Sequence, residues 1–228
     1  MPLKILVVED DPATLEFMSE VLRAQDVQVH PVGDSLEALG VISEEKFDGI
    51  FLDLQMPNLD GFELARRIRQ SALNRKTPIV IVTGREEKDI MGLAFRAGGT
   101  FFLHKPVDRY KLTELMNSTR GSMVQERQRS TRVPLNTVVE CQVGGRTVAG
   151  MGINLSLAGL LFQALAPLEV GNSLQVSFWL PSQQEAIRIA GSVVRVEEDK
   201  RVAIQFGPLS PKDRQRILEF VTTQGETL

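Results

Sequence analysis

The spacing of the apolar residues changes once along this 228-residue chain, and this change constrains the fold more than any other feature. Up to about residue 118, short apolar runs alternate with stretches whose apolar residues recur at helical spacing. After about residue 132 the helical pattern stops, and short strand patterns follow one another between turns that contain glycine and proline. We therefore predict two domains of different architecture.

The first part predicts an α/β fold with a doubly wound, five-stranded parallel sheet covered by helices on both faces. Asp11-Pro12 predicts the start of the first helix, because Asp caps a helix and Pro suits its first position. The fourth helix is predicted at about Glu86–Ala97. The strands are predicted at Ile5–Val8, Val27–Val32, Gly49–Leu52, Pro78–Val82 and Thr100–Leu103.

The second part predicts a small antiparallel β-barrel or sandwich, followed by a C-terminal helix. That helix is predicted from Pro211, with Ile217, Leu218 and Val221 on one face. The strands are predicted at Val133–Val143, Arg146–Leu155, Gly159–Ala164, Ser173–Leu180, Ala186–Val196 and Arg201–Phe206. Between the two parts, the polar stretch 117–131 has a weak helical signal that is broken at Gly121, and we interpret it as a connector.

Composition and charge limit the function classes. The net charge of −3 argues against a protein built mainly to bind nucleic acid, although residues 120–132 hold four arginines against one acid. Neither an apolar run near the roughly 20 residues of a membrane-spanning helix nor a signal-peptide cleavage pattern is present, which predicts a cytoplasmic protein without membrane insertion. Cys141, the single cysteine, is typical of a small core or surface residue, and His30 and His104 lack metal-site spacing.

Four polar features follow predicted strands at the same edge of the sheet. Glu9-Asp10-Asp11 follows the first strand, Asp53 the third, Thr83 the fourth and Lys105 the fifth. Taken singly, these residues are explained as well by loop acids and a surface lysine, and Asp53 could simply cap a loop. Taken together at corresponding strand ends, they predict a site.

The chemistry of these four features is that of phosphoryl transfer to a carboxylate. Crowded carboxylates raise at least one pKa unless a cation joins them, and an oxygen-binding divalent ion such as Mg²⁺ suits them. Lys105 can pair with Asp53 or with a phosphoryl group placed on it, and the Thr83 hydroxyl can donate to the same group. With Asp53 as nucleophile, the product is an acyl phosphate, which water hydrolyses.

Residues 1–118 resemble the receiver domain of bacterial response regulators, a flavodoxin-like fold. The resemblance is carried by the acidic pair after the first strand, the motif D-x-x-M-P-x-x-D-G from Asp53 to Gly61, and the Thr and Lys-Pro after the last two strands. It implies that a sensor histidine kinase phosphorylates Asp53. The chain would then catalyse only its own phosphorylation and dephosphorylation.

The resemblance also implies a set of Mg²⁺ ligands and a switch residue. Asp53, Asp10 and the backbone carbonyl of Gln55 would bind Mg²⁺ directly, with Glu9 nearby or acting through water. Phe102 falls at the aromatic switch position, where the ring can move in behind Thr83. A buried strand aromatic explains Phe102 equally well.

Residues from about 126 to 228 resemble a PilZ domain, a β-barrel receptor for cyclic di-GMP. Asn154, Ser156 and Gly159 match the motif D/N-x-S-x-x-G, although the segment alone also suits a ligand-free β-turn in which Gly159 permits a positive φ. The partner motif R-x-x-x-R is incomplete, because Gln128 stands four residues before Arg132. Either a neighbouring arginine substitutes, or affinity falls roughly ten- to hundredfold.

These expectations combine into a leading hypothesis and an alternative. The leading hypothesis is a response regulator with a receiver (1–118), a helical or polar connector (119–131) and a PilZ-like barrel (132–228). Its barrel would bind cyclic di-GMP through Arg127, Arg129, Arg132, Asn154, Ser156 and Gly159. The alternative is a phosphorylation-controlled adaptor whose barrel has lost nucleotide binding.

The expected partners follow from the same resemblance. We expect a downstream protein of motility, pilus or polysaccharide machinery, and a homodimer is compatible with the sequence. A transcription factor is disfavoured, because the second part lacks a helix-turn-helix pattern and a broad basic face.

Overall fold

The computed structural model describes residues 2–85, 89–181 and 183–225. The chain divides into two compact units, one up to Arg127 and one from Gln128 onward. The first unit is an α/β sandwich and the second a β-barrel with a final helix, which confirms the two architectures predicted from the apolar spacing. Within the described residues, no helix has the length and apolar character needed to span a membrane.

The first unit contains a parallel sheet with the strand order β2-β1-β3-β4-β5. Its strands are β1 (Leu3–Val8), β2 (Val27–Val32), β3 (Gly49–Asp53), β4 (Ile79–Thr83) and β5 (Phe101–His104). Its helices are α1 (Pro12–Arg23), α2 (Ser35–Glu44), α3 (Gly61–Gln70), α4 (Ile90–Ala97) and α5 (Arg109–Ser130). Helices α1 and α5 pack on one face and α2, α3 and α4 on the other, so the apolar strands are buried on both sides.

Aspartate caps begin the first three helices. The Asp11 carboxylate accepts a hydrogen bond from the backbone N–H of Thr14 at 2.8 Å, and Pro12 occupies the first turn, as the sequence predicted. Asp34 and Asp60 cap α2 and α3 in the same way. The predicted start of α4 near residue 86 lies outside the described residues.

Helix α5 is longer than the sequence predicted, and the predicted break at Gly121 is wrong. Gly121 is exposed and costs an isolated helix only about 1 kcal/mol. Tertiary contacts on either side of it offset this cost. Met116 and Met123 are fully buried against the sheet, and Met123 occupies the space left by Gly49, where an added Cβ would lie 2.4 Å from its Cε.

The second unit is a closed antiparallel barrel. The ring runs β8-β7-β10-β11-β12-β9, and β9 pairs back to β8. This last pairing decides for a barrel rather than a sandwich, because it leaves the ring without an open edge. The elements are β6 (Val133–Pro134), β7 (Val138–Val143), β8 (Arg146–Ser156), β9 (Gly159–Ala164), β10 (Ser173–Phe178), β11 (Ile187–Val196), β12 (Arg201–Phe206) and α6 (Pro211–Gly225).

The stretch 133–143 forms two strands rather than the single predicted one. Both β6 and β7 pair with β8, but the ladder is interrupted at 135–137. Pro134 pairs with Asn154 and Val138 pairs with Met151, so three residues on the β6–β7 side face two residues of β8 across this gap. The extra residue shifts the register by one, and the ladder therefore does not continue unbroken from β6 into β7.

Helix α6 covers one end of the barrel core. Ile217 and Val221 are buried in that core and Leu218 packs against it, which confirms the predicted apolar face. Cys141 lies in the same core, where burial raises the pKa of its thiol to about 12. Cys141 is therefore a protonated packing residue rather than a nucleophile.

Gly61 lets the start of α3 approach the end of β3 closely. A Cβ on Gly61 would lie 2.1 Å from the Asp53 carbonyl oxygen and 2.7 Å from Leu54 Cα. Both atoms belong to the backbone, so they cannot rotate away as a side chain could. The position of Asp53 at the strand end therefore depends on a glycine eight residues later.

We expect Gly61→Ala to destabilise the first unit by about 1–3 kcal/mol through overpacking. Gly40→Ala, in exposed space on α2, is the matched control and should stabilise the unit by about 0.5–1 kcal/mol. Urea unfolding of both variants measures the difference. Equal midpoints for Gly61→Ala and the native chain would contradict the close approach.

Candidate functional site

The four polar features meet at the carboxyl edge of the parallel sheet. Lys105 Nζ lies 2.8 Å from Asp53 Oδ2 and 2.9 Å from Glu9 Oε1. Asp53 and Glu9 are only 3% and 1% exposed, whereas Asp10 is exposed. The parallel strands β1, β3 and β5 all end at this edge, which is why residues far apart in the chain converge here.

The electrostatics of this cluster are those of two buried acids that share one cation. Burial raises the pKa of Glu9 to about 6, and the Asp53 charge adds to the rise while Lys105 opposes it. The pKa increase agrees with the expectation from crowded carboxylates, but burial contributes more than repulsion. Burial also lowers the pKa of Lys105, yet hydrogen bonds to Asp53 and Glu9 outweigh this effect, and its pKa is raised.

The acidic residues of the cluster suit a divalent cation. Glu9, Asp10 and Asp53 each offer a carboxylate oxygen, and these oxygens lie within 4.8 Å of one another. Glu9 Oε2 is buried and accepts no hydrogen bond from the described residues, although Lys105 Nζ lies 2.8 Å from it. Three carboxylate oxygens at this spacing, two of them on buried residues, fit a hard cation with oxygen ligands. Gln55 lies beside them, and its backbone N–H donates to Asp53 Oδ1 at 3.1 Å.

Thr83 and Phe102 lie next to this cluster on neighbouring strands. Thr83 is fully buried at the end of β4, and its hydroxyl oxygen accepts the backbone N–H of Arg85 at 3.2 Å. Phe102 pairs with Ile81, two residues before Thr83, so Phe102 and Thr83 point to the same face of the sheet. The Phe102 ring is half-buried, and its centroid lies 6.4 Å from the centroid of the His104 ring.

In the second unit, Arg132 meets the Asn-x-Ser-x-x-Gly segment. An Arg132 terminal nitrogen donates to Asn154 Oδ1 at 2.8 Å, because β6 pairs with the end of β8. Ser156 is buried, and its hydroxyl donates to the Gly159 carbonyl at 3.1 Å while accepting the Ala158 N–H at 3.3 Å. Ser156 therefore shapes the turn, and Asn154 is the partly exposed member of the motif.

Gly159 does not adopt the positive φ that a glycine permits. Among the described residues, the glycines with positive φ are Gly98, Gly144, Gly145 and Gly171. Gly159 instead begins β9 in extended pairing with β12, where a Cβ would lie 2.0 Å from the Ile204 carbonyl oxygen. Close approach of two strands, rather than a special backbone conformation, explains the glycine.

The remaining predicted arginines lie in different surroundings. Arg127 belongs to the first unit, where its guanidinium lies 2.6 Å from Asp48 Oδ2 and from the Pro2 carbonyl. Arg129 is exposed, and Gln128 is half-buried. The structure thus brings Arg132 to the motif and engages Arg127 with an acid of the first unit.

Arg195 is a cation near this motif that the sequence did not indicate. Partial burial and the positive charge of Arg195 both lower the pKa of the Arg132 guanidinium. Arg195 lies on β11, far along the chain, and an isolated arginine in an alternating strand carries no signal of its own. Only the pairing of the barrel strands relates it to Asn154.

Comparisons with known proteins agree with both units. Residues 5–117 match the response regulator receiver domain family and residues 126–223 match the PilZ domain family. Neither is a family of catalytic enzymes, and neither is a DNA-binding domain.

Similar proteins cover mainly the first unit. The DNA-binding response regulator MtrA of Mycolicibacterium smegmatis is 29% identical over 165 residues, which are 72% of this chain and 70% of MtrA. The response regulator MprA of Mycobacterium sp. (strain KMS) is 34% identical over 121 residues, 53% of this chain and 50% of MprA. The structure of Vibrio cholerae CheY4 crystallised at pH 4.0 matches with a TM-score of 0.50 at 26% identity, over 52% of this chain and 98% of CheY4.

The two family matches and the two folds agree along the chain, with the parallel sheet first and the closed barrel second. The chain belongs to the response regulators and joins an N-terminal receiver domain to a C-terminal PilZ domain.

Proposed function

We propose that this response regulator receives two signals. A sensor histidine kinase phosphorylates Asp53, and the PilZ domain binds cyclic di-GMP and passes the signal to a protein partner. The observation that carries the first part is the bridge of Lys105 between buried Asp53 and Glu9. A surface lysine and two loop acids would not need this shared, buried arrangement.

The residues around Asp53 suit attack on a phosphohistidine. Lys105 and the Gln55 N–H hold the two Asp53 oxygens at 2.8 and 3.1 Å, which fixes the carboxylate in one orientation. One of these oxygens attacks phosphorus, the P–N bond of the phosphohistidine breaks, and the imidazole of the kinase leaves with its electron pair and takes up a proton. Mg²⁺ bound by Glu9, Asp10, Asp53 and the Gln55 carbonyl would neutralise charge on the phosphoryl oxygens.

The neighbouring residues suit a response to the new phosphoryl group. Lys105 can turn its positive charge from Glu9 to the phosphoryl oxygens. The Thr83 hydroxyl already accepts a hydrogen bond from Arg85, so its own proton is available for donation to a phosphoryl oxygen. Phe102 lies on the same face as Thr83, and we propose that it moves in behind Thr83.

In the PilZ domain, we propose that Arg132 and Asn154 hold the nucleotide on a turn shaped by Ser156 and Gly159. Arg guanidinium groups bind phosphate through paired hydrogen bonds and stack on purines. Arg127 and Arg129 remain further proposed ligands. Arg127 can bind the nucleotide only after it leaves Asp48, and this exchange would couple nucleotide binding to the receiver with reciprocal effects.

The alternative function is a phosphorylation-controlled adaptor whose PilZ domain binds a protein instead of cyclic di-GMP. Two observations favour it. Gln128 lacks a charged fork, and Arg127 is already engaged by Asp48. Under either function, a protein of motility, pilus or polysaccharide machinery remains the proposed downstream partner.

Incubation with acetyl phosphate and Mg²⁺ should add one phosphoryl group to the native chain and none to Asp53→Asn, because the amide cannot act as the nucleophile. Asp60→Asn is the matched control, since Asp60 is an exposed carboxylate of the same loop. Intact-protein mass spectrometry measures the addition. Labelling of Asp53→Asn at the native level would contradict the assignment of Asp53.

Mg²⁺ should raise the melting temperature of the receiver strongly at pH 8 and weakly at pH 5. The pKa of Glu9 is raised from 4.5 to about 6, so in the metal-free chain its stabilising contribution is present below pH 4.5 and lost as the pH rises through about 6. Above that pH the ionised carboxylate is available to the cation. Thermal unfolding measures the effect, and Glu9→Gln should show a smaller difference between the two pH values. Equal Mg²⁺ effects in the native chain would refute the role of Glu9.

Calorimetric titration with cyclic di-GMP separates the two functions. We expect the native chain to bind, and Gln128→Arg to bind about ten- to hundredfold more tightly, because an additional guanidinium adds a bidentate contact. Gln128→Lys is the control, as it adds charge without the fork. An absence of heat with the native chain, together with clear binding by Gln128→Arg, would support the adaptor instead.

A further inference from the structure

Strands β8 and β11 each contain a bulge that lies next to a polar residue. In β8 the register shifts between Gly152 and Asn154, and in β11 it shifts between Val193 and Arg195. Bulges redirect the following side chain and are common beside functional sites. One of these two bulges precedes the Asn of the nucleotide motif, which makes the residue after the other bulge a candidate for the same site.

The strand pairing places these two residues in one row across the barrel. Asn154 pairs with Leu161, Leu161 with Ala203, and Ala203 with Arg195. Directly paired residues point to the same side of a sheet, so all four share one face. Successive strands lie about 4.8 Å apart, which separates the Cα atoms of Asn154 and Arg195 by about 14 Å.

This row lies on the outer face of the barrel. The sequence neighbours Leu160, Phe162, Val202 and Ile204 belong to the barrel core, so the residues between them point outward. The middle of the row is apolar and carries no charge. One end of the row is Asn154, which accepts a hydrogen bond from Arg132. The other end is Arg195.

Arg132 and Arg195 influence each other electrostatically. Arg132 donates to Asn154 at one end of the row. The pKa of Arg132 is lowered first by partial burial and then by the positive charge of Arg195, which agrees with the shared outer face that the strand pairing gives. Arg195 now pairs with Glu197 at 3.0 Å, but its side chain is 63% exposed, and such a surface pair breaks easily.

We propose that Arg195 supplies the second guanidinium that Gln128 does not, and that it binds a phosphate of cyclic di-GMP together with Arg132. This inference rests on the proposed binding of cyclic di-GMP. Arg195, at the end of the row away from Asn154, would take the role of the arginine that the motif expects at position 128, before β6. The site would then use side chains of the barrel itself and would not require Arg127 to leave Asp48.

The test is calorimetric titration of the full chain with cyclic di-GMP. Arg195→Ala should weaken binding about ten- to hundredfold, the effect of losing one charge-assisted bidentate contact. Arg188→Ala is the matched control, because Arg188 is exposed on the outer face of the same strand, seven residues away, and it should bind as the native chain does. Arg195→Lys, which keeps the charge without the fork, should fall between them.

Two further variants test whether the effect on binding is specific to the guanidinium of Arg195. Glu197→Gln removes the acid that now competes for Arg195 and should tighten binding. Gln128→Arg placed in the Arg195→Ala background should restore affinity, because either arginine provides the second fork. Matching melting temperatures for Arg195→Ala and the native chain would show that the loss does not come from unfolding.

The outcomes separate this inference from the function on which it rests. Native affinity in Arg195→Ala, or an equal loss in Arg188→Ala, would overturn the role of Arg195 and leave cyclic di-GMP binding intact. Failure of the native chain to bind the nucleotide at all would overturn both.

Discussion

One ammonium group stabilises the acidic edge of the receiver. Lys105 Nζ lies within hydrogen-bonding distance of both Asp53 and Glu9, two carboxylates that are almost completely buried. Without that positive charge, two ionised acids would face each other in a medium that solvates them poorly. The Lys105 hydrogen bond orients the Asp53 carboxylate at the end of β3, and Gly61 allows the start of α3 to approach the backbone of that strand end closely.

At the opposite edge of the sheet, the last turns of α5 are held by residues at the start of β3. Asp48 precedes β3 and accepts both the backbone N–H of Lys4 at 2.7 Å and the guanidinium of Arg127 at 2.6 Å. Met123 packs against Gly49 one residue later. A strand that carries the proposed phosphorylation site at one end therefore begins at an anchor for α5 at the other.

In the barrel, two β-bulges and the pairing of β9 with β8 and β12 place residues from distant strands on one outer face, which no local sequence motif indicates. The bulges in β8 and β11 turn Asn154 and Arg195 outward, and the β9 and β12 strands between them bring both into one row. Gly159 contributes by allowing β9 to approach β12, which is a packing role rather than a conformational one. The motif residues thus divide into those that shape the turn and those that remain accessible.

The sequence by itself determined the order of elements and the edge at which Asp53, Glu9, Thr83 and Lys105 meet. Helical and strand periodicity are local, and all parallel strands of one sheet end at the same edge, so these placements follow from the pattern. The unbroken helix through Gly121, the attachment of Arg127 to Asp48 and the position of Arg195 were decided by the tertiary structure. Each of them depends on contacts between residues far apart in the chain, which can outweigh a local propensity of about 1 kcal/mol and leave no periodic trace in the sequence.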